Sequence, residues 1–236
     1  MLGGHWRIWK QQHNADHHMH TNIDGHDGDI ALGIIARIHP NQKRYWWHRY
    51  QHIYLPLFIY PISYFAWIYI LDFQKARRMK WGVLDYLTLI FSKCVHISLF
   101  VVFPLFFRSL SEVVIGYAIV LAVTGTVTSF VFQLAHVVEI TEMVTATEKV
   151  TYDEIHQLKT TANFATNNKF LSWYVGGLNF QREHHLYYKI SHVHYPEINL
   201  AVKKVCDALN LPQNEYPTLM SATKSHIRYL KVMGKQ

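Results

Sequence analysis

Only two cysteines, Cys94 and Cys206, occur in 236 residues. Two are too few for a disulfide framework, and nothing around them has metal-knuckle spacing. Charge is scarce as well. Asp, Glu, Lys and Arg make up 17% of the chain, against about a quarter in ordinary soluble domains. No repeat or low-complexity stretch is present, which excludes fibrous arrays, and a 50% hydrophobic content excludes disorder. No apolar leader follows Met1, where Gly3, Gly4, His5 and Trp6 come at once, so no secretory signal is expected. The net charge of +7 comes from basic residues that flank apolar runs. That pattern suits a membrane surface, and no nucleic-acid partner is expected.

Apolar residues are plentiful and segregated, although the mean hydropathy is only −0.01. Residues 53–71 carry no charge over 19 positions, 86–107 carry only Lys93, and 113–138 carry none over 26. A bilayer core of about 30 Å needs roughly 20 helical residues, so all three stretches are long enough. Basic residues crowd 37–49 (Arg37, Lys43, Arg44, Arg49) and 75–80 (Lys75, Arg77, Arg78, Lys80), whereas 108–112 has Arg108 offset by Glu112. The positive-inside rule then places both basic loops in the cytoplasm. It makes 86–107 and 113–138 a crossing hairpin and leaves 53–71, with Pro56 and Pro61, to dip in and return or to lie at the interface. The converse, with 53–71 crossing and 86–107 not, stays open. Residues 113–138 are predicted to be one unbroken helix through Gly125. Amphipathic patterns near 198–209 and 217–232 predict two further helices.

The 17 histidines are concentrated in two clusters. In WKQQHNADHHMHTN, His13 and His17 are four apart and share a helical face, while His18 points about 100° away, toward a second ion beside the first. In LNFQREHHLYYKISHVHYP, Gln181, His184 and His185 at i, i+3 and i+4 also share a face. His136, in FQLAHVVE, ends the last apolar stretch, where an ionisable residue is a functional candidate by default. Imidazole suits iron, zinc, copper or nickel. Two separated clusters offer more ligands than one tetrahedral ion uses, so a dinuclear site is expected. His192 and His194 follow the second cluster as either ligands or neighbours of ligands. His5, His20, His26, His39, His48, His52, His96, His156 and His226 are read as ordinary structural or surface residues.

These residues resemble the histidine boxes of the membrane fatty-acid desaturases, specifically the front-end type that includes linoleoyl-CoA (delta-6-like) desaturases. QHNADHH, followed by TNIDGHDGDI, is similar to the second box. QREHH, preceded by GGLNF, resembles the third box in its front-end form, with glutamine for the first histidine. FQLAHVVE resembles the segment that adds a further ligand, and SHIRYLKVMG is similar to the family's C-terminus. The resemblance covers essentially the whole chain. It implies an all-α integral membrane protein in which a transmembrane helical hairpin carries a cytoplasmic histidine-rich helical cap. One desaturase domain, 1–236, is expected, with the second box in 1–52, the membrane region in 53–138 and the third box in the cytoplasmic 139–236.

The resemblance further implies two iron ions held by His13, His17, His18, His136, His184 and His185, with Gln181, His192 and His194 as ligands or close neighbours. No catalytic residue beyond the metal ligands is expected. The implied reaction is O2-dependent introduction of a cis double bond into an acyl-CoA or acyl-lipid, in membrane lipid, with electrons from cytochrome b5 or ferredoxin. A related hydroxylase or sphingolipid desaturase would use the same metal chemistry, and an inactive homologue would bind metal incompletely. The chain departs from the family in four places. The first box (H-x-x-x-H or H-x-x-x-x-H) has no counterpart, since His5 lies eight positions before His13. The first membrane hairpin is missing too, so the chain reads as N-terminally truncated, with Met1 an internal methionine. Arg182 replaces a usual apolar residue, and Tyr187-Tyr188 a usual Phe-Pro. Without the first box, this chain is expected to hold fewer than two metal equivalents and to desaturate little.

Overall fold

The computed structural model describes residues 3–30, 32–145 and 153–236. Met1 and residues 146–152 of the expected 139–236 region lie outside them. The protein is helical, with one two-residue parallel strand pair, β1 (Asn163–Phe164) and β2 (Glu215–Tyr216). The first helix, α1, runs as Trp6–Lys10 and widens into π turns over Gln11–His17. Three long apolar helices follow: α2 (Trp46–Ala76), α3 (Val83–Leu105) and α4 (Leu110–His136). Shorter helices complete the chain: α5 (Glu154–Thr160), α6 (Lys169–Tyr174), α7 (Gln181–Leu186), α8 (Tyr195–Leu209) and α9 (Leu219–Met233). The last two fall where the amphipathic patterns predicted them. α4 is unbroken at Gly125, as expected.

The three long helices are apolar and exposed together. Only 22, 17 and 17% of their most apolar windows are buried within the protein. Leu57, Phe58, Ile62, Phe91, Ile115 and Ile119 all present more than half their surface. A continuous helix satisfies its own backbone and can carry such a face only against lipid. The chain is a membrane protein. One expectation is corrected: residues 53–71 do not dip and return but lie within the single helical run of α2. Pro56 and Pro61 do not reverse it: Pro56 lies in the π turn Leu55–Ile59, which absorbs the irregularity that a missing N–H creates, and Pro61 stands at the start of the α-helical stretch Tyr60–Ala66 that follows.

The fold divides into two compact units, 1–14 with 55–129, and 15–54 with 130–236. In the first, α2 and α4 pack through Tyr64, Ile68 and Leu121, with Trp67, Tyr69 and Tyr117 around them. Ser63 Oγ lies 2.8 Å from Ser129 Oγ, and the Tyr69 and Tyr117 hydroxyls are 2.5 Å apart. Lys93 and Asp72 form a buried ion pair that also takes the Gly3 carbonyl and the His5 N–H. Ile8 of α1 packs with Ala76 and Leu89. In the second unit, Leu134, Phe164, Ala165 and Ala222 form one core, and Leu158, Val202 and Cys206 another. α9 is tied to the start of α2 by Gln51 Nε2 donating to the Leu230 carbonyl at 2.8 Å. It is tied to the end of α4 by His226 Nδ1 donating to the Val137 carbonyl at 2.7 Å.

Candidate metal centre

The second unit gathers five of the six histidines marked in the sequence. His17 arrives at the end of α1, His136 at the end of α4, and His184 and His185 on α7. His17, His136 and His185 each offer one ring nitrogen, and these three atoms lie within 4.8 Å of one another. All three residues are buried, and their ring centroids are 4.6–4.9 Å apart. Beside them, His18 Nε2 is 3.2 Å from His184 Nε2, and the His18 ring stacks on His185 at 4.2 Å. The face shared by Gln181, His184 and His185 is thus real, and Gln181 Nε2 donates to His136 Nε2 at 3.1 Å and lies 3.3 Å from His185 Nε2.

The far side of each ring explains which nitrogen is presented. His17 Nδ1 donates to Asp27, 2.9 Å from Oδ1. His185 Nδ1 donates to Gln157 Oε1 at 2.8 Å, and His136 Nδ1 to the Thr160 carbonyl at 3.3 Å. His184 Nδ1 meets the Tyr195 hydroxyl at 3.2 Å. With Nδ1–H committed to oxygen, each Nε2 keeps its lone pair toward the cluster, the arrangement that orients metal-binding imidazoles. The electrostatics differ from ring to ring. Burial, then the neighbouring imidazoles, push His185 well below the ordinary histidine range, so it stays neutral. For His17, burial is the largest single influence and lowers the pKa. The charge and hydrogen bond of Asp27, with the charge of Asp29, outweigh it and leave the pKa raised. Buried, converging imidazoles braced in this way fit a transition-metal ion such as iron, zinc or copper.

The loop after His18 supplies the bracing. Asp27 also accepts from the backbone N–H of Asn22 and Asp29 at 2.9 and 3.0 Å. Asn22, at φ 58°, takes the left-handed conformation that asparagine tolerates. Its amide donates to three carbonyls, those of His136, Glu142 and Thr160. His156 Nε2 donates to the Thr21 carbonyl at 2.9 Å. Sequence reasoning did not single out Asp27, Gln157, Thr160 or Tyr195. Asp27 stands within the quoted TNIDGHDGDI, but no spacing there marks it as a partner of His17.

His13 belongs to the first unit, where its ring stacks on Trp9 at 4.6 Å. His192 and His194 are exposed on the turn His192–His194, and the Cβ of His192 faces Gly177. Most histidines read as structural bond to backbone or hydroxyl groups: His226 to Val137, His48 to Ile34, His20 to Asp16, His5 to Thr88 and His96 to Tyr117.

Residues 1–217 match the family model described as fatty acid desaturase. The sn-1 linoleoyl-lipid 6-desaturases of Arthrospira platensis and Synechocystis sp. are each 36% identical to the chain. Those alignments take in 96 and 97% of this chain, and 64 and 67% of the relatives. A probable Delta(5) fatty acid desaturase C of Dictyostelium discoideum is 32% identical over 99% of the chain and 54% of its own length. The chain therefore spans about half to two thirds of the length of these relatives. No solved structure matches it. The family match over nearly the whole chain agrees with the two histidine clusters and the apolar helices between them, and the chain belongs to the fatty acid desaturase family.

Proposed function

We propose that this chain forms the metal-binding part of an acyl desaturase that introduces a cis double bond into a fatty chain. The observation that carries the reading is the buried His17–His136–His185 cluster, with every Nδ1 braced by oxygen. His17, His136 and His185 would hold one ion. His18 and His184 would contribute to the second, and the face shared with His17 makes His13 a candidate ligand. Two iron ions, when bound, supply the oxygen activation and hydrogen removal that no protein side chain here can perform. The protein's part is to hold neutral Nε2 donors, fix their orientation through Asp27, Gln157 and Thr160, and exclude water from the buried rings. Gln181, bonded among the ligands, sets the spacing between His136 and His185. The relatives' names favour an acyl chain esterified in a lipid over a CoA thioester. Electrons would come from a one-electron carrier such as cytochrome b5 or ferredoxin.

The histidines are assigned to the cytoplasmic face. In the second unit α9 bonds to both Gln51 and Val137, so the start of α2 and the end of α4 share one side. An even number of full crossings between them fits this and supports both boxes lying on one face beside the basic 37–49 loop. Lipid analysis of a desaturase-deficient host tests the function, comparing this chain with a version extended upstream by an H-x-x-x-H box. The extended version is expected to yield a new double bond, its His185→Ala variant none, and the 236-residue chain little, with fewer than two metal equivalents. An extended version that holds two irons yet leaves every acyl chain unchanged would overturn the proposal.

A further inference from the structure

Behind the histidine face of α7 lies a second polar layer, also buried. One face of this helix carries Gln181, His184 and His185, and the opposite face carries Arg182 and Glu183, both 0% exposed. The Glu183 carboxylate accepts three hydrogen bonds. Arg182 Nε donates to Oε1 at 2.9 Å, Asn199 Nδ2 to Oε1 at 3.0 Å, and Asn163 Nδ2 to Oε2 at 2.7 Å. Asn163 grips the helix twice, because its Oδ1 also accepts the Arg182 backbone N–H at 2.9 Å. Asn163 is itself anchored in β1, its N–H bonded to the Asn214 carbonyl at 2.9 Å. The Nη1 and Nη2 atoms of Arg182 are buried with no hydrogen-bond partner among the described residues. Glu183 is therefore the main compensation for the guanidinium charge.

Six residues cannot hold a helix by their own hydrogen bonds. The position of α7 is set by what its side chains touch, and on this face its buried charge pair meets two asparagines, Asn163 and Asn199. A buried ion pair is costly to break from either side, because the survivor is left uncompensated. We propose that Arg182 and Glu183, with Asn163 as their anchor, are positioning residues that set the height and rotation of His184 and His185. The proposal rests on the metal-site reading given above. It also gives Arg182 a role: where the family has an apolar residue, this chain has a cation that balances the Glu183 carboxylate, which Asn163 and Asn199 hold from outside the helix.

Cobalt(II) titration of the full chain tests it, followed by visible absorption, with melting of the metal-free protein measured alongside. Arg182→Ile and Glu183→Gln are each expected to weaken cobalt binding about 10- to 100-fold and to change the band shape at saturation. The double variant R182I/E183Q is expected to lose less than the product of the two single losses, since neither charge is then stranded. If R182I does not fold, Asn199→Ala removes one bond to Glu183 and is expected to weaken binding in the same direction. Single variants with wild-type affinity and band shape would overturn the proposal. So would variants that melt earlier yet give the wild-type spectrum when saturated, which is the result of a merely structural role. A wild-type protein that binds no cobalt is a different result, and removes the metal-site reading itself.

Discussion

Gly125 offers a sharp test of how the membrane helices pack. A Cβ built on Gly125 would stand 2.5 Å from the Tyr60 carbonyl oxygen, 2.8 Å from that of Pro61 and 3.1 Å from Ser63 Oγ. The first two are backbone atoms of α2 and cannot rotate away. Alanine at 125 therefore has to part α2 and α4 by roughly 0.5–1 Å, an overpacking strain worth about 1–3 kcal/mol. The same displacement loosens the Ser63–Ser129 and Tyr69–Tyr117 contacts at 2.8 and 2.5 Å. Small residues at close helix crossings are how membrane helices associate without a hydrophobic driving force. Alanine also gains up to about 1 kcal/mol of helix propensity over glycine, which a control must remove. Gly116 is that control, for it lies in the same helix and its Cβ would meet nothing within 4 Å. Gly116→Ala is expected to raise the melting temperature in detergent slightly, and Gly125→Ala to fall below it by an amount equivalent to about 1–3 kcal/mol. For a chain of this size that is several degrees. Equal shifts for the two variants would refute the close approach.

Two further outcomes follow from the second unit. Asp27→Asn keeps the size of the side chain but removes the carboxylate that holds His17 Nδ1–H at 2.9 Å. Metal affinity is expected to fall about 10- to 100-fold, measured by titration, and a change within twofold would refute the bracing role. His226 is fully buried on the Val137 carbonyl, and burial pushes its pKa down from 6.5 to about 4. Above pH 6.5 neither folded nor unfolded state binds a proton there. Between about 6.5 and 4 only the unfolded state does, so stability is lost as the pH is lowered, at about 1.4 kcal/mol per unit. His226→Leu is expected to melt with a flatter pH dependence between pH 7 and 5, and parallel curves for variant and wild type would count against the assignment.

What could be read from the sequence was what local periodicity carries. Gln181, His184 and His185 share a face because helical spacing is a local property, and His136 was marked by its place at the end of an uncharged run. The bracing groups were not legible. Asp27 follows His17 by 10 residues along an irregular loop, and Gln157 precedes His185 by 28, so no periodicity links either pair. Of the options left open for 53–71, dip-and-return is the one the continuous helix contradicts, for a related reason. Two prolines in an apolar stretch signal a break in an α-helix, but a chain that widens into a π turn at the first and starts an α-helical stretch at the second continues through them.

The histidines show most clearly why residue type alone falls short. His226 is as deeply buried as His17 and His136, His156 is buried too, and burial lowers both pKa values, partly opposed in His156 by its bond to Thr21 and nearby acids. Burial therefore does not separate a ligand from a structural residue. The tautomer does not either: His226 uses Nδ1 on a carbonyl, as His136 does, while His156 uses Nε2. The distinction lies in what the other nitrogen faces. In His17, His136 and His185 it faces two further imidazoles within 4.8 Å, with each opposite edge bonded to oxygen. Neutral imidazoles gain little from crowding one another in a protein interior, and any that are protonated repel. A cation between them reverses that sign, because it turns three converging lone pairs from a desolvation cost into coordinate bonds. On the proposed metal-site reading, the same cluster opposes folding when empty and supports it when filled, which would tie the stability of this unit to its ion.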